Sequence, residues 1–218
     1  MSSISLPTNQ RFRDPFSGFS HLAGAAIGLA VLCFLVVQAS LHGDVWQITS
    51  FSIFGTCMIL MFGSSAVYHL AQTSEENILK LKRIDHMAIF AMIAGTYTPI
   101  CLVSLRDSFG WSLLIVVWSL AFSGILLKIF WIGAPRWLST LIYLAMGWAC
   151  ALDFSGLKEA MNVVGFNWLV AGGVAYTVGV IFYVADKTWR LKHSHGIWHF
   201  AVLAGSTAHF IAIIGYVR

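Results

Sequence analysis

Charge is what this 218-residue chain has least of: 10% of its residues are Asp, Glu, Lys or Arg, where a soluble domain carries about 25%. With 58% hydrophobic residues and a mean hydropathy of +0.79, too little polar surface remains to cover a water-facing exterior. An ordinary soluble domain is excluded, and the surrounding solvent is lipid. Cysteine is scarce as well. Cys33, Cys57, Cys101 and Cys150 all stand inside apolar runs and lack the short spacings of a thiolate metal site, so they read as small buried hydrophobes. No internal repeat or low-complexity tract is visible. Nor is a cleaved leader expected, because the first apolar run, 21–40, exceeds a signal core and leads directly into another. A net charge of +4 and a pI near 9.0 would suit nucleic acid, but in a membrane chain basic residues have the simpler task of setting topology, and no nucleic-acid partner is expected.

A transmembrane helix needs about 20 mostly apolar residues, since the hydrocarbon is about 30 Å thick and a helix rises 1.5 Å per residue. Seven segments qualify: 21–40, 46–71, 86–104, 111–131, 137–152, 162–185 and 196–217, the fifth being the shortest. The runs are continuous, without period-two alternation, which points to helices rather than a barrel. The expected fold is therefore all-α and polytopic: a cytoplasmic segment 1–20, then one seven-helix transmembrane domain, 21–218. With the amino terminus inside, Arg11, Arg13, Lys80, Lys82, Arg83, Lys128, Arg136, Lys187, Arg190 and Lys192 fall on the inner side. Only Arg106, Lys158 and Arg218 fall outside. Ten against three is the bias that the positive-inside rule demands, and an even number of spans would scramble it. Trp46 and Trp111 suit the outer interface, and Trp131, Trp137 and Trp189 the inner one.

Ionisable residues within spans are costly and mark function. His69 lies about a turn from the inner end of the second helix, with Ser65 one turn deeper on the same face. Asp85 opens the third helix at the same end. His195 and His199 open the seventh from the inner side, four residues apart and on one face. The topology thus brings all five to one depth. Three imidazoles with an open fourth position are a recipe for catalytic zinc. In that reading Asp85 orients or deprotonates a water at the fourth position, and Ser65 hydrogen-bonds Asp85 or a developing oxyanion. A second reading of Asp85 makes it a helix-start cap. The other histidines rank lower. His193 sits in a basic loop, His86 is turned about 100° from Asp85 around the helix and packs or hydrogen-bonds locally, and His42 belongs to an outer loop. His21 is either a support for the site or an interfacial snorkeller. His209 lies about 15 Å beyond His199 and suits a helix–helix hydrogen bond.

These residues also form a family pattern. Ser65-Ala66-Val67-Tyr68-His69, the block from Asp85 to Pro99 (DHMAIFAMIAGTYTP) and SHGIWH from Ser194 to His199 resemble the three signatures of the haemolysin III family, the prokaryotic branch of the progestin and adipoQ receptors. At the first helix, Asp14 stands for the family's acidic residue and Ser17 for its asparagine, ahead of Ser20-His21. The resemblance implies a seven-helix bundle in the bacterial inner membrane, with zinc on His69, His195 and His199, Asp85 near the water and Ser65 close by. It also implies kinship with membrane hydrolases that include alkaline ceramidases, and hence a lipid-like substrate and a role in membrane lipid homeostasis.

Three functions compete at this stage. The first is a zinc-dependent hydrolase of a lipid amide or ester. The second is a membrane sensor or receptor in which zinc only ties two helices together. The third is a pore or cytolysin, against which no span carries a continuous polar stripe. The charge bias makes its own prediction. A reporter fused after Arg218 should read as outside, and one inserted between Lys80 and Arg83 as cytoplasmic; cytoplasmic signals at both would defeat the seven-span topology.

Overall fold

Hydrocarbon offers no water to a bare peptide group, so each apolar run closes its hydrogen bonds within itself as a helix. The computed structural model describes residues 11–131, 133–188 and 193–217. Trp189, Arg190, Lys192 and Arg218, counted above for topology, lie outside the described residues, as do the side chains of Arg136 and Lys187. Among the described residues there are seven α-helices and no strand.

Helix α1 (Pro15–His42) begins six residues before the expected position, and its cap explains why. The Asp14 carboxylate accepts the Ser17 N–H at 3.3 Å, and Pro15 supplies a pre-set φ at the first helical position. Helix α2 (Val45–Leu70) follows after two residues, opened by a capping box in which Asp44 accepts from Trp46 and Gln47 while the Gln47 side chain accepts from the Asp44 N–H. Helix α3 (Glu75–Pro99) starts eleven residues earlier than expected. Its cap is Ser74, with Glu75 and Glu76 favouring the positive end of the helix dipole. Asp85 therefore stands nearly three turns inside the helix, which overturns its reading as a helix-start cap. Pro99 lacks the N–H for a further α-turn, and the chain continues as a π-helical turn, Ile100–Ser104, with the Leu105 N–H donating to the Ile100 carbonyl at 3.0 Å.

Helix α4 (Gly110–Phe130) is followed by the short α5 (Arg136–Gly147), a 3₁₀ turn (Ala149–Asp153), α6 (Phe154–Thr188) and α7 (Ser194–Tyr216). Six stretches are long and apolar enough to cross a membrane: Pro15–His42, Val45–Leu70, Glu75–Ser104, Gly110–Phe130, Trp137–Ala185 and Ser194–Tyr216. The fifth, 49 residues long, contains both segments expected separately at 137–152 and 162–185. By itself α5, with its 12 residues, rises only about 18 Å. Within α6, Asn162 breaks the helix at φ 56° and ψ 173°. Its side-chain oxygen then accepts the N–H groups of Val164 and Gly165 at 2.9 and 3.1 Å, restarting the helix where the sixth span was expected.

Helix α1 lies along α2 and α6 along α7, while α3 runs between α2 and α4. Two thirds of the most apolar stretch of α3 (67%) is buried, against 28% in α1 and α4, so α3 is the central helix. Phe54, Phe62 and Phe90 are fully enclosed. The outward faces carry Leu41, Phe130 and Leu152, each at least two thirds exposed, a surface suited to lipid and not to water. Cys57, Cys101 and Cys150 are buried as expected, but Cys33 is exposed on this outer face. At the end of the bundle away from the histidines, Trp46 packs edge-on against Trp111 at 5.7 Å, with Arg106 over the Trp46 ring.

The backbone at Asn162 occupies a region that is essentially glycine's. Asn162→Ala should lower stability by about 1 kcal/mol or more through loss of the cap. Asn162→Gly, which relieves the strain while losing the same bonds, should stay within a few tenths of a kcal/mol of the parent or exceed it. Thermal melting in detergent distinguishes the two; equal losses would remove the break from any part in stability.

Candidate metal centre

Three helix ends and the passing α3 meet at one end of the bundle. The last two turns of α2 bring Ser65 and His69, and the first two turns of α7 bring His195 and His199. The first turns of α1 bring Asp14 and His21, and α3 passes with Asp85 and His86. Gly196 packs under Phe16 of α1, whose ring would have to shift for a Cβ there, since the two would stand 2.6 Å apart.

His69, His195 and His199 offer donor atoms that all lie within 4.8 Å of one another, and two of the three residues are buried. The Nε2 atoms of His195 and His199 are 3.2 Å apart, and those of His195 and His69 are 3.5 Å apart. Nitrogens bound at about 2.0–2.1 Å to a tetrahedral ion stand about 3.3–3.4 Å from one another. The spacing therefore fits three ligands on one ion, and neutral imidazoles are the right donors for it. Among the described residues this is the one such cluster of His, Cys, Asp or Glu.

Around the triad lies a second layer that sequence reasoning largely missed. Asp14 Oδ2 is 3.2 Å from His69 Nδ1, on the side of the ring away from the triad. Burial alone would raise the Asp14 pKa, but hydrogen bonds from His69 and Ser17 outweigh it and hold the carboxyl below its usual range. His21 is 4% exposed and stacks on His199 with ring centroids 3.9 Å apart. It supports the site and does not snorkel. The signal for both residues was in the sequence: Asp14, Ser17 and His21 are spaced three and four apart, which puts them on one helical face.

Ser65 and Asp85, the other two expected site residues, line the same cavity as the three histidines. Asp85 is 9% exposed, and His86 Nδ1 lies 3.2 Å from its Oδ2, so the neighbouring imidazole reaches the carboxylate although it leaves the helix in another direction. His209 is far along α7 with Nε2 3.1 Å from the Leu169 carbonyl, the helix–helix hydrogen bond expected of it. His193 is exposed, ahead of α7.

His69, Asp85, His195 and His199 line one end of a cavity of about 460 Å³. From there it runs beside α3 from Asp85 to Ile100, about 22 Å of helix. Trp148, Phe154 and Leu157 also line it. Most of its wall is apolar, and polar groups gather at the histidine end.

Fold and site together define a polytopic helical membrane protein with a buried three-imidazole centre heading an apolar cavity. The haemolysin-III-related family matches residues 9–210, and the chain belongs to that family. It is 40% identical over 201 residues to the hemolysin-3 homolog of Bacillus subtilis (strain 168), covering 92% of each chain. To hemolysin-3 of Bacillus cereus it is 37% identical over 202 residues, covering 92% of this chain and 90% of the relative. More distantly, it is 27% identical over 185 residues to the heptahelical transmembrane protein ADIPOR2 of Oryza sativa subsp. japonica, covering 72% and 76%. These likenesses agree with the wider grouping of progestin and adipoQ receptors. Family and apolar helices together make the chain an integral multi-pass protein of the bacterial inner membrane.

The geometry predicts which histidines matter for metal. Replacing His69, His195 or His199 with Ala should each strip most of the divalent metal from the purified chain, whereas His193→Ala and His209→Ala should retain it. Elemental analysis reads the result. Equal losses from His193→Ala and His195→Ala would refute the ligand set.

Proposed function

We propose that this protein is a zinc-dependent hydrolase that cleaves an amide or ester bond of a membrane lipid and serves membrane lipid homeostasis. The observation that carries the reading is the convergence of three imidazoles, with donor atoms within 4.8 Å of one another, at the head of a long, mostly apolar cavity. Zinc is the metal that best suits three neutral imidazoles with one position left for water or substrate. Held by His69, His195 and His199, it would supply Lewis acidity and lower the pKa of a water toward about 7.

The remaining roles fall to the chain's own groups. Asp85 accepts a proton at its carboxylate and returns it to the leaving amine or alcohol, acting as base and then acid. His86, whose Nδ1 lies 3.2 Å from Asp85 Oδ2, would hold that carboxylate in place. The apolar wall takes the acyl chain and keeps bulk water from the reacting end. The membrane arrangement that goes with this reading has seven spans and a cytoplasmic amino terminus. It is supported by the ten-to-three charge bias, by the helix break at Asn162, and by the printed name of the heptahelical relative. The histidine end of the cavity then faces the cytoplasm.

A sensor without turnover draws on one observation, that the triad ties α2 to α7 and would stabilise the bundle through metal alone. The Asp85→Asn variant separates the two. Asn keeps the shape and a hydrogen bond but takes no proton, so zinc content and melting should persist while fatty-acid release falls about 10²-fold or more. Ser65→Ala should have a smaller effect. Release unchanged in Asp85→Asn with zinc intact would remove Asp85 from the chemistry, and no release by the wild type over a broad lipid panel would favour the sensor.

A further inference from the structure

Helix α2 ends at the metal centre, and the last carbonyls of any helix lack partners within it. Here the segment leading into α1 supplies them. The Asp14 N–H donates to the His69 carbonyl at 2.9 Å. The Arg13 guanidinium donates to the Tyr68 carbonyl and lies over the Tyr68 ring, 4.1 Å from its centroid. Two consecutive residues thus grip the two consecutive residues at the end of α2, and His69 is one of them.

The same grip sets the chemistry of the His69 ring. A carboxylate only accepts hydrogen bonds, so with Asp14 Oδ2 3.2 Å from Nδ1 the neutral ring carries its proton on Nδ1. The Nε2 lone pair is then the free one, and Nε2 is the atom that points at His195. The contrast with His199 is direct: its Nδ1 is buried and has no hydrogen-bond partner. A carboxylate behind a ligating imidazole both orients the ring and raises its basicity.

We propose that Asp14 is a positioning residue of the metal centre: it holds His69 in the tautomer and orientation that make Nε2 a ligand, and so couples metal affinity to the docking of the segment ahead of α1. The proposal rests on the reading that the triad holds a divalent ion. It assigns to Asp14 a task separate from capping α1, although the two oxygens of one side chain serve both: Oδ1 accepts from Ser17 and Oδ2 faces His69. Coupling of this kind is reciprocal, so bound metal must in turn hold the segment down.

Two substitutions divide the tasks. Asp14→Asn keeps a good cap but loses the charge; Asp14→Glu keeps the carboxylate but is a poorer cap. Purified full-length chain in detergent is titrated with Zn²⁺ against a chromogenic chelator, and metal-free melting is recorded for each variant. Asp14→Asn should weaken zinc binding about 10–100-fold with unchanged metal-free melting. Asp14→Glu should bind zinc more tightly than Asp14→Asn while melting lower without metal. In the wild type, but not in Asp14→Asn, Zn²⁺ should slow trypsin cleavage at Arg11 and Arg13. Wild-type affinity in Asp14→Asn would overturn the proposal, as would equal loss of zinc in both variants alongside equal loss of metal-free stability. Failure of the wild type to bind metal would defeat the underlying metal reading instead, a result distinct from either.

Discussion

A polar side chain inside hydrocarbon must find a partner, and a second helix is the main place to find one. In this chain that constraint acts hardest on a few imidazoles and carboxylates near the ends of α1, α2 and α7 and in the first half of α3. They meet it by gathering together: Asp14 lies beside His69, His86 beside Asp85, and the His21 ring packs on His199. Around this knot the apolar helices are free to pack by shape, with α3 at the centre and α1 and α4 turned largely to lipid. With its Nδ1 turned to Asp14, His69 directs Nε2 at His195, whose own Nε2 also faces His199.

That arrangement has consequences for function. The knot lies at one end of the bundle, and the cavity, mostly apolar in its lining, extends away from the histidines along α3. A ligand that matches it has a polar reacting group at one end and a hydrocarbon chain behind it. A polar pore would need the opposite distribution, with polar residues along its whole length.

Much of this was legible in one dimension. Long apolar runs and few charges dictate helices in lipid, because no other open structure satisfies the backbone there. The four-residue spacing of Ser65 and His69, and of His195 and His199, determines that each pair shares a face. Helix starts were read less well, since the cues compete: the charged stretch from Glu75 to Arg83 looks like a loop by hydropathy, yet Ser74 and the acidic first turn begin α3 there. By hydropathy alone, Asp85 therefore reads as a residue at the helix start, whereas it stands ten residues inside α3. The pairing of Asp14 with His69 spans a helical hairpin, and no local pattern announces such a contact.

By itself the sequence determined the solvent, the helical class, the family pattern and the residue types at the centre, because these follow from composition and from spacings within single helices. Only the tertiary structure decided that three imidazoles bring donor atoms within 4.8 Å of one another, which atom of Asp14 faces which atom of His69, and that His21 lies buried against His199. It also decided the course of the cavity. The physical reason is the same in each case. Ring orientation and enclosed space depend on how separate helices pack, and packing is settled by contacts between residues far apart in the chain, such as Phe16 against Gly196, that carry no signal until the helices meet.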